Sequence, residues 1–227
     1  MKIGILVTGH APDMMIGETG DYDHMFSVLL ADDDFEFQGY HVVDGEFPKH
    51  GAPEADGWVI TGSKHGAYED HDWIRPLENL IRDIDQSKKP MLGVCFGHQI
   101  IAQALGGKVE KFKDGWSVGK TTYEVEGQDV TLHGWHQDQV VTRPDRARVL
   151  GGNDFCENGI LAYDDHIWTV QLHPEYGPDF LQGLIDHRGR GVVPDALLAK
   201  AEAGLAGPDD NAKTAEFMKA FLKKERT

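Results

Sequence analysis

Cysteine is scarce in this chain, with only Cys95 and Cys156 among 227 residues. Two thiols cannot make a disulfide framework, and a reducing compartment is the natural setting for a working thiolate. Long apolar runs are also missing. No stretch approaches the roughly 20 residues of a membrane-spanning helix. The apolar segment Met1–Gly9 carries a single basic residue, Lys2, and is cut by His10-Ala11-Pro12-Asp13. It reads as a first β-strand and not as a secretory signal, so a cytoplasmic protein is expected. Basic residues are outnumbered, 22 Lys and Arg against 38 Asp and Glu, for a net charge of -16. That balance speaks against nucleic acid or an anionic membrane as partner. No G-x-x-x-x-G-K-[ST] string, no HExxH and no zinc-spaced cysteine pair occurs. No nucleotide, metal or other cofactor is therefore expected, and His65, His71, His133, His136, His166 and His187 read as scattered surface or pocket histidines.

The patterning that is present suits one α/β domain over residues 1–227. Lys2–Val7 and Ala55–Ser63 are short apolar runs ending in glycine turns, the pattern of buried strands. Phe35–Val43 alternates like a strand. Tyr22–Leu30 has helical spacing, and a helix is expected from about Asp72 to Asp85 with Trp73, Leu77, Leu80, Ile81 and Ile84 inward. Strand and helix in alternation predict a three-layer α/β sandwich with a mostly parallel central sheet. After Gly107 the chain turns β-rich over Val118–Val125 and Val130–Val141, with a hairpin over Ile160–Leu172, which reads as a small β excursion. The tail returns to helix over Phe180–His187, Asp195–Ala203 and Lys213–Lys224, the last with Phe217, Phe221 and Leu222 on one apolar face.

The most informative segment is Gly93-Val94-Cys95-Phe96-Gly97-His98-Gln99, between the apolar run Met91-Leu92 and the helical run Ile100–Leu105. Glycines on both sides of a cysteine let a strand turn sharply into a helix and leave the side chain at the apex exposed. The N-terminus of the following helix favours a thiolate. Downstream, the run Ile167–Leu172 leads into His173-Pro174-Glu175, placing a base and a carboxylate two residues apart at a strand end. His173 can take the thiol proton, and Glu175 can accept the other imidazole N–H and fix the tautomer. Cys156 has no such partner and reads as structural. Ser63, Cys95 and His173 all fall just past predicted strand ends, where ligands bind in parallel sheets.

The pair of strings G-x-C-x-G-x-Q and H-P-E resembles the class I glutamine amidotransferases, closest to free-standing, GMP-synthase-like members, over Ile3 to about Phe180. The resemblance implies a flavodoxin-like fold and a Cys95-His173-Glu175 triad that hydrolyses the side-chain amide of glutamine through a glutamyl thioester. It implies an oxyanion hole from the backbone N–H groups of Phe96 and Gly62, donors worth about 3–4 kcal/mol each. Gln99 matches a substrate-holding glutamine. Trp135-His136-Gln137-Asp138 matches a Ser-His-Gly-Asp-like string that contacts the amino-acid end of the substrate. Here Trp135 replaces the serine and Gln137 the glycine, a departure that leaves room for a γ-glutamyl compound in place of free glutamine. Only 52 residues follow Glu175, too few for an ATP-dependent synthetase domain, so ammonia transfer would need a separate synthetase subunit. The expectation is a glutaminase of this kind. The alternatives are a γ-glutamyl peptidase using the same triad and a non-catalytic binding or regulatory module on the same scaffold.

Overall fold

A computed structural model describes residues 1–225. Its strands are β1 (Lys2–Leu6), β2 (Glu36–Tyr40), β3 (Gly57–Ile60), β4 (Met91–Val94), β5 (Lys108–Lys111), β6 (Ser117–Val125), β7 (Gln128–His136), β8 (Asp138–Thr142), β9 (Ala147–Gly152), β10 (Ile160–Tyr163) and β11 (Ile167–Val170). Its helices are α1 (Asp13–Thr19), α2 (Tyr22–Leu29), α3 (Ile74–Gln86), α4 (Phe96–Ala104), α5 (Pro178–Leu184), α6 (Asp195–Ala203) and α7 (Asn211–Lys223). No helix among the described residues is long and apolar enough to cross a membrane.

One mixed sheet of nine strands runs β2-β1-β3-β4-β11-β10-β9-β6-β7, and β5 and β8 form a separate two-stranded ribbon. The first five strands pair in parallel. The remaining four pair antiparallel. The expected β excursion thus extends the central sheet.

Alternation along the parallel strands explains their near-continuous apolar sequences, because both faces are covered. Trp58, Ile60 and Met91 face one layer with Leu77, Ile81 and Ile84 of α3 and Ile100 and Ile101 of α4. Val59, Leu92, Val94, Trp168 and Val170 face the other, with Phe26 of α2, Leu181 and Leu184 of α5, and Met218 and Leu222 of α7.

Several boundaries differ from the sequence expectation. The strand of Phe35–Val43 stops at Tyr40 because Val42–Asp44 closes a 3-10 turn. Helix α3 starts at Ile74, since His71–Trp73 form a turn in which the Ile74 N–H donates to the His71 carbonyl at 3.0 Å. On α7 the buried positions are Thr214, Ala215, Met218 and Leu222, a face rotated from the expected one. Phe217 is 47% exposed and meets Trp168 at 5.1 Å.

Register places the site. Val170 of β11 lies opposite Val94 of β4, and Ile60 of β3 lies opposite Gly93 on the other side of β4. The residues just past these three ends, Gly62, Cys95 and His173, are therefore brought to one rim of the sheet, outside the carboxyl ends of its strands.

Candidate active site

The turn at Cys95 is the strained element. Cys95 has φ 52° and ψ -104°, a conformation that costs a non-glycine residue about 1–3 kcal/mol and recurs at functional sites. Its neighbours show why glycine flanks it. A Cβ on Gly97 would lie 2.2 Å from the Ile60 carbonyl oxygen, and one on Gly93 would lie 2.6 Å from Ile101 and 2.7 Å from the Gly97 carbonyl. The Cys95 N–H donates to Val170 O at 2.9 Å and the Gly97 N–H to Thr61 O at 3.0 Å. The elbow is thereby fixed to both neighbouring strands. One expectation is corrected: the Cys95 side chain is not exposed at its apex. The residue is 5% accessible and forms part of the wall of a pocket of about 450 Å³, because the β6–β8 segment and the tail close over it.

His173 lies in an extended segment pinned by its N–H to His133 O at 2.8 Å. Its Nδ1 is 2.6 Å from Glu175 Oε1. The Glu175 carboxylate is fully enclosed, and Oε2 has no hydrogen-bond partner. The ring of Tyr176 stacks on the imidazole at 3.9 Å and 5°, and the Tyr176 and Tyr22 hydroxyls are 3.2 Å apart. Burial pushes the His173 pKa down. The negative charges of Glu175 and Cys95 outweigh it and raise the pKa to about 10. His173 Nε2 makes no conventional hydrogen bond, so the nitrogen that Glu175 does not hold remains open to interaction with the thiol.

His98 and His136 are also fully buried, without a carboxylate beside them, and burial takes both down to about 3. Only His173 of these three carries an adjacent anion. Cys156 is buried as well, and burial pushes its thiol up to about 11, consistent with a structural role.

Gly62 stands against this pair. A Cβ there would meet His173 Cε1 at 3.0 Å and Cys95 Cβ at 3.8 Å. Neither the Gly62 nor the Phe96 backbone N–H is engaged in a hydrogen bond among the described residues. Two donors beside Cys95 are thus available for an anion.

The other expected residues gather at the same pocket. Gln99, Trp135 and His136 line it. The Gln99 amide nitrogen is already committed, donating to Asp138 O at 2.9 Å and Gln171 Oε1 at 3.1 Å. Gln99 therefore ties α4 to the β7–β8 corner and leaves its carbonyl oxygen as the group open to a ligand. His136 pairs Nδ1 with Asp138 O at 3.2 Å, while Nε2 is buried without a partner. Trp135 is half-buried and packs beside Val118, Ile185 and Val193, with its ring edge near Gly189.

Sequence reasoning missed Tyr176, Tyr22, Lys64, Lys111 and Arg188, all of which line the pocket. Tyr176 had a local signal, being the next residue after His-Pro-Glu. Arg188 had none, since it comes from the tail beyond α5 and is held there by donating to His10 O at 2.7 Å. The reading of scattered histidines also needs correction. His133 and His166 are fully buried, and His166 Nε2 contacts Asp85 at 2.8 Å in a cluster with Arg146.

Comparison with known proteins matches residues 44–181 to the family glutamine amidotransferase class-I. The chain is similar to gamma-glutamyl peptidase 2 of Arabidopsis thaliana, 34% identical over 92% of this chain and 90% of that one. It is also similar to a glutamine-hydrolysing GMP synthase subunit from Methanopyrus kandleri, 28% identical over 75% of this chain and 95% of that one. The crystal structure of a glutamine amidotransferase from Thermotoga maritima superposes with a TM-score of 0.76 at 20% identity, covering 98% of this chain and 96% of that one.

Proposed function

This chain belongs to the class I glutamine amidotransferase family, and we propose that it hydrolyses γ-glutamyl amide bonds in peptides through Cys95, His173 and Glu175. The observation that carries the reading is the enclosed His173-Glu175 pair at 2.6 Å beside a strained, pocket-lining cysteine. With His173 already holding the proton, as its raised pKa implies, the Cys95 thiolate attacks the γ-carbonyl carbon. The developing oxyanion is met by the N–H groups of Gly62 and Phe96. His173 returns the proton to the departing amine as the tetrahedral species collapses to a γ-glutamyl thioester. Water, deprotonated by the same imidazole, then releases glutamate. Glu175 holds the ring in one tautomer and offsets its positive charge throughout.

A peptide is favoured over free glutamine by three considerations. The pocket, at about 450 Å³, falls in the range of sites that enclose drug-sized ligands. Lys64, Lys111 and Arg188 on its wall suit the carboxylates of a γ-glutamyl peptide, and Glu69 and Asp138 on the same wall suit its ammonium group. The similarity to a gamma-glutamyl peptidase covers nearly the whole chain. Comparing kcat/KM for glutamine and a γ-glutamyl dipeptide tests this. The dipeptide should be preferred by at least about tenfold, the scale of one extra pocket contact, and an α-linked glutamyl dipeptide should resist cleavage. Preference for glutamine, or turnover of neither, would sink the reading.

The second reading is a glutaminase passing ammonia to a separate synthetase, supported by the similarity to the glutamine-hydrolysing GMP synthase subunit. It predicts ammonia release from glutamine at a rate raised by that partner.

A further inference from the structure

The loop between β3 and α3 carries a cluster that this chemistry does not use. His65, Glu69 and His71 each bring one ligand atom within 4.8 Å of the other two. Glu69 Oε2 is 2.7 Å from His71 Nε2 and 3.4 Å from His65 Nδ1. A tetrahedral zinc ion binds nitrogen and oxygen at about 2.0–2.2 Å, which sets its ligands roughly 3.3–3.5 Å apart. The observed separations straddle that spacing, so the three groups can close on a cation by small side-chain rotations.

The rings are already positioned. Trp73 stacks on His71 at 6.0 Å and 9° and meets His65 edge-on at 5.8 Å, while the two imidazoles are 4.4 Å apart. Side-chain exposures of 23%, 43% and 38% for His65, Glu69 and His71 leave a path for an ion from solvent.

We propose that His65, Glu69 and His71 form a binding site for a divalent cation of the zinc class at the rim of the catalytic pocket. Two imidazoles and one carboxylate suit zinc, cobalt or nickel better than magnesium or calcium, which prefer all-oxygen shells. Three protein ligands leave a fourth position open. His65 and Glu69 also line the pocket that holds Cys95, so a molecule entering that pocket could fill it with a carboxylate or thiol. The inference does not depend on which amide the enzyme cleaves. A second cluster, His10, His41 and Asp44, does not line the pocket that holds Cys95. It serves as the control.

The test uses the full chain carrying Cys95→Ala, so that the reactive thiol cannot bind metal, stripped with a chelator and titrated with zinc chloride by calorimetry. Cobalt(II) absorption reports geometry independently of activity. One equivalent should bind, with tetrahedral cobalt bands. His71→Ala and the conservative Glu69→Gln should each weaken binding more than about tenfold, the lower bound for groups that merely support a metal ligand, whereas His41→Ala should not. Near-ultraviolet circular dichroism of each variant checks that the fold is retained. Absence of binding, undiminished binding in folded His71→Ala and Glu69→Gln proteins, or loss with His41→Ala would overturn the proposal.

Discussion

Replacing Glu175 by Gln removes one charge from a fully enclosed position while keeping its shape. The structure supplies its own calibration. His98 and His136 are as buried as His173 but lack a carboxylate, and burial takes them to about 3, against about 10 for His173. In the Glu175→Gln protein only the Cys95 charge would still oppose burial, and the His173 pKa should fall below its wild-type value. The imidazolium that faces the thiolate would then lose its buried counter-charge, and the glutamine amide could hold the wrong tautomer. In hydrolases with this logic, losing the orienting carboxylate lowers the rate by about 10⁴-fold. That corresponds to about 5 kcal/mol of transition-state stabilisation. The loss should appear in kcat with little change in KM. Folding linkage has a definite sign here. A folded-state pKa raised from 6.5 to about 10 adds stability that is complete below pH 6.5 and is lost as pH rises toward 10. The stability gap between the two proteins should therefore narrow over that window. The assays are an NMR titration of the His173 ring, steady-state kinetics on a γ-glutamyl dipeptide and denaturant melts across pH. An unmoved His173 titration, or activity within about threefold of wild type, would refute the orienting role of Glu175.

Iodoacetamide at near-neutral pH should label Cys95 well before Cys156, whose thiol burial pushes up to about 11, and peptide mapping that finds equal rates would contradict this. Gly97→Ala should cost at least about 2 kcal/mol, in the upper range for overpacking, because its Cβ would lie 2.2 Å from a backbone oxygen. A denaturation midpoint equal to that of wild type would remove the packing argument for the elbow. Trp135→Ser should change the kcat/KM ratio between glutamine and a γ-glutamyl dipeptide by about tenfold or more, since even one methylene in a pocket is worth about 1–3 kcal/mol. An unchanged ratio would mean that the indole serves only packing.

The legible parts of this protein were those whose information is local. The elbow at Cys95 is written in seven consecutive residues, and β1, β3, β4 and β11 are short apolar runs because both faces of the parallel sheet are covered. The convergence of Gly62, Cys95 and His173 follows from strand ends, once the strands are taken as parallel neighbours. What was not legible depends on tertiary partners. Helix α1 is only seven residues with one buried side chain, Met15, too short for a periodicity. Strand β5, Lys-Val-Glu-Lys, buries only Val109, and its pairing with β8 decides its state. On α7 the aromatic side chains suggested one face, but packing against the sheet selected Met218 and Leu222. Arg188 reaches the pocket from the tail by a bond to His10 O, a contact with no sequence signature. The cluster at His65, Glu69 and His71 fits no spaced metal motif, and only the folded loop brings its three ligand atoms together.

The central claim is that Cys95 carries the γ-glutamyl group. Rapid mixing with a γ-glutamyl dipeptide, acid quench within the first turnover and peptide mapping by mass spectrometry test it directly. A γ-glutamyl thioester should appear on the peptide containing Cys95 and decay as glutamate is released, and a folded Cys95→Ser protein should neither form the thioester nor turn over at a comparable rate. Steady hydrolysis with no adduct on that peptide, or near-wild-type turnover by Cys95→Ser, would contradict the account.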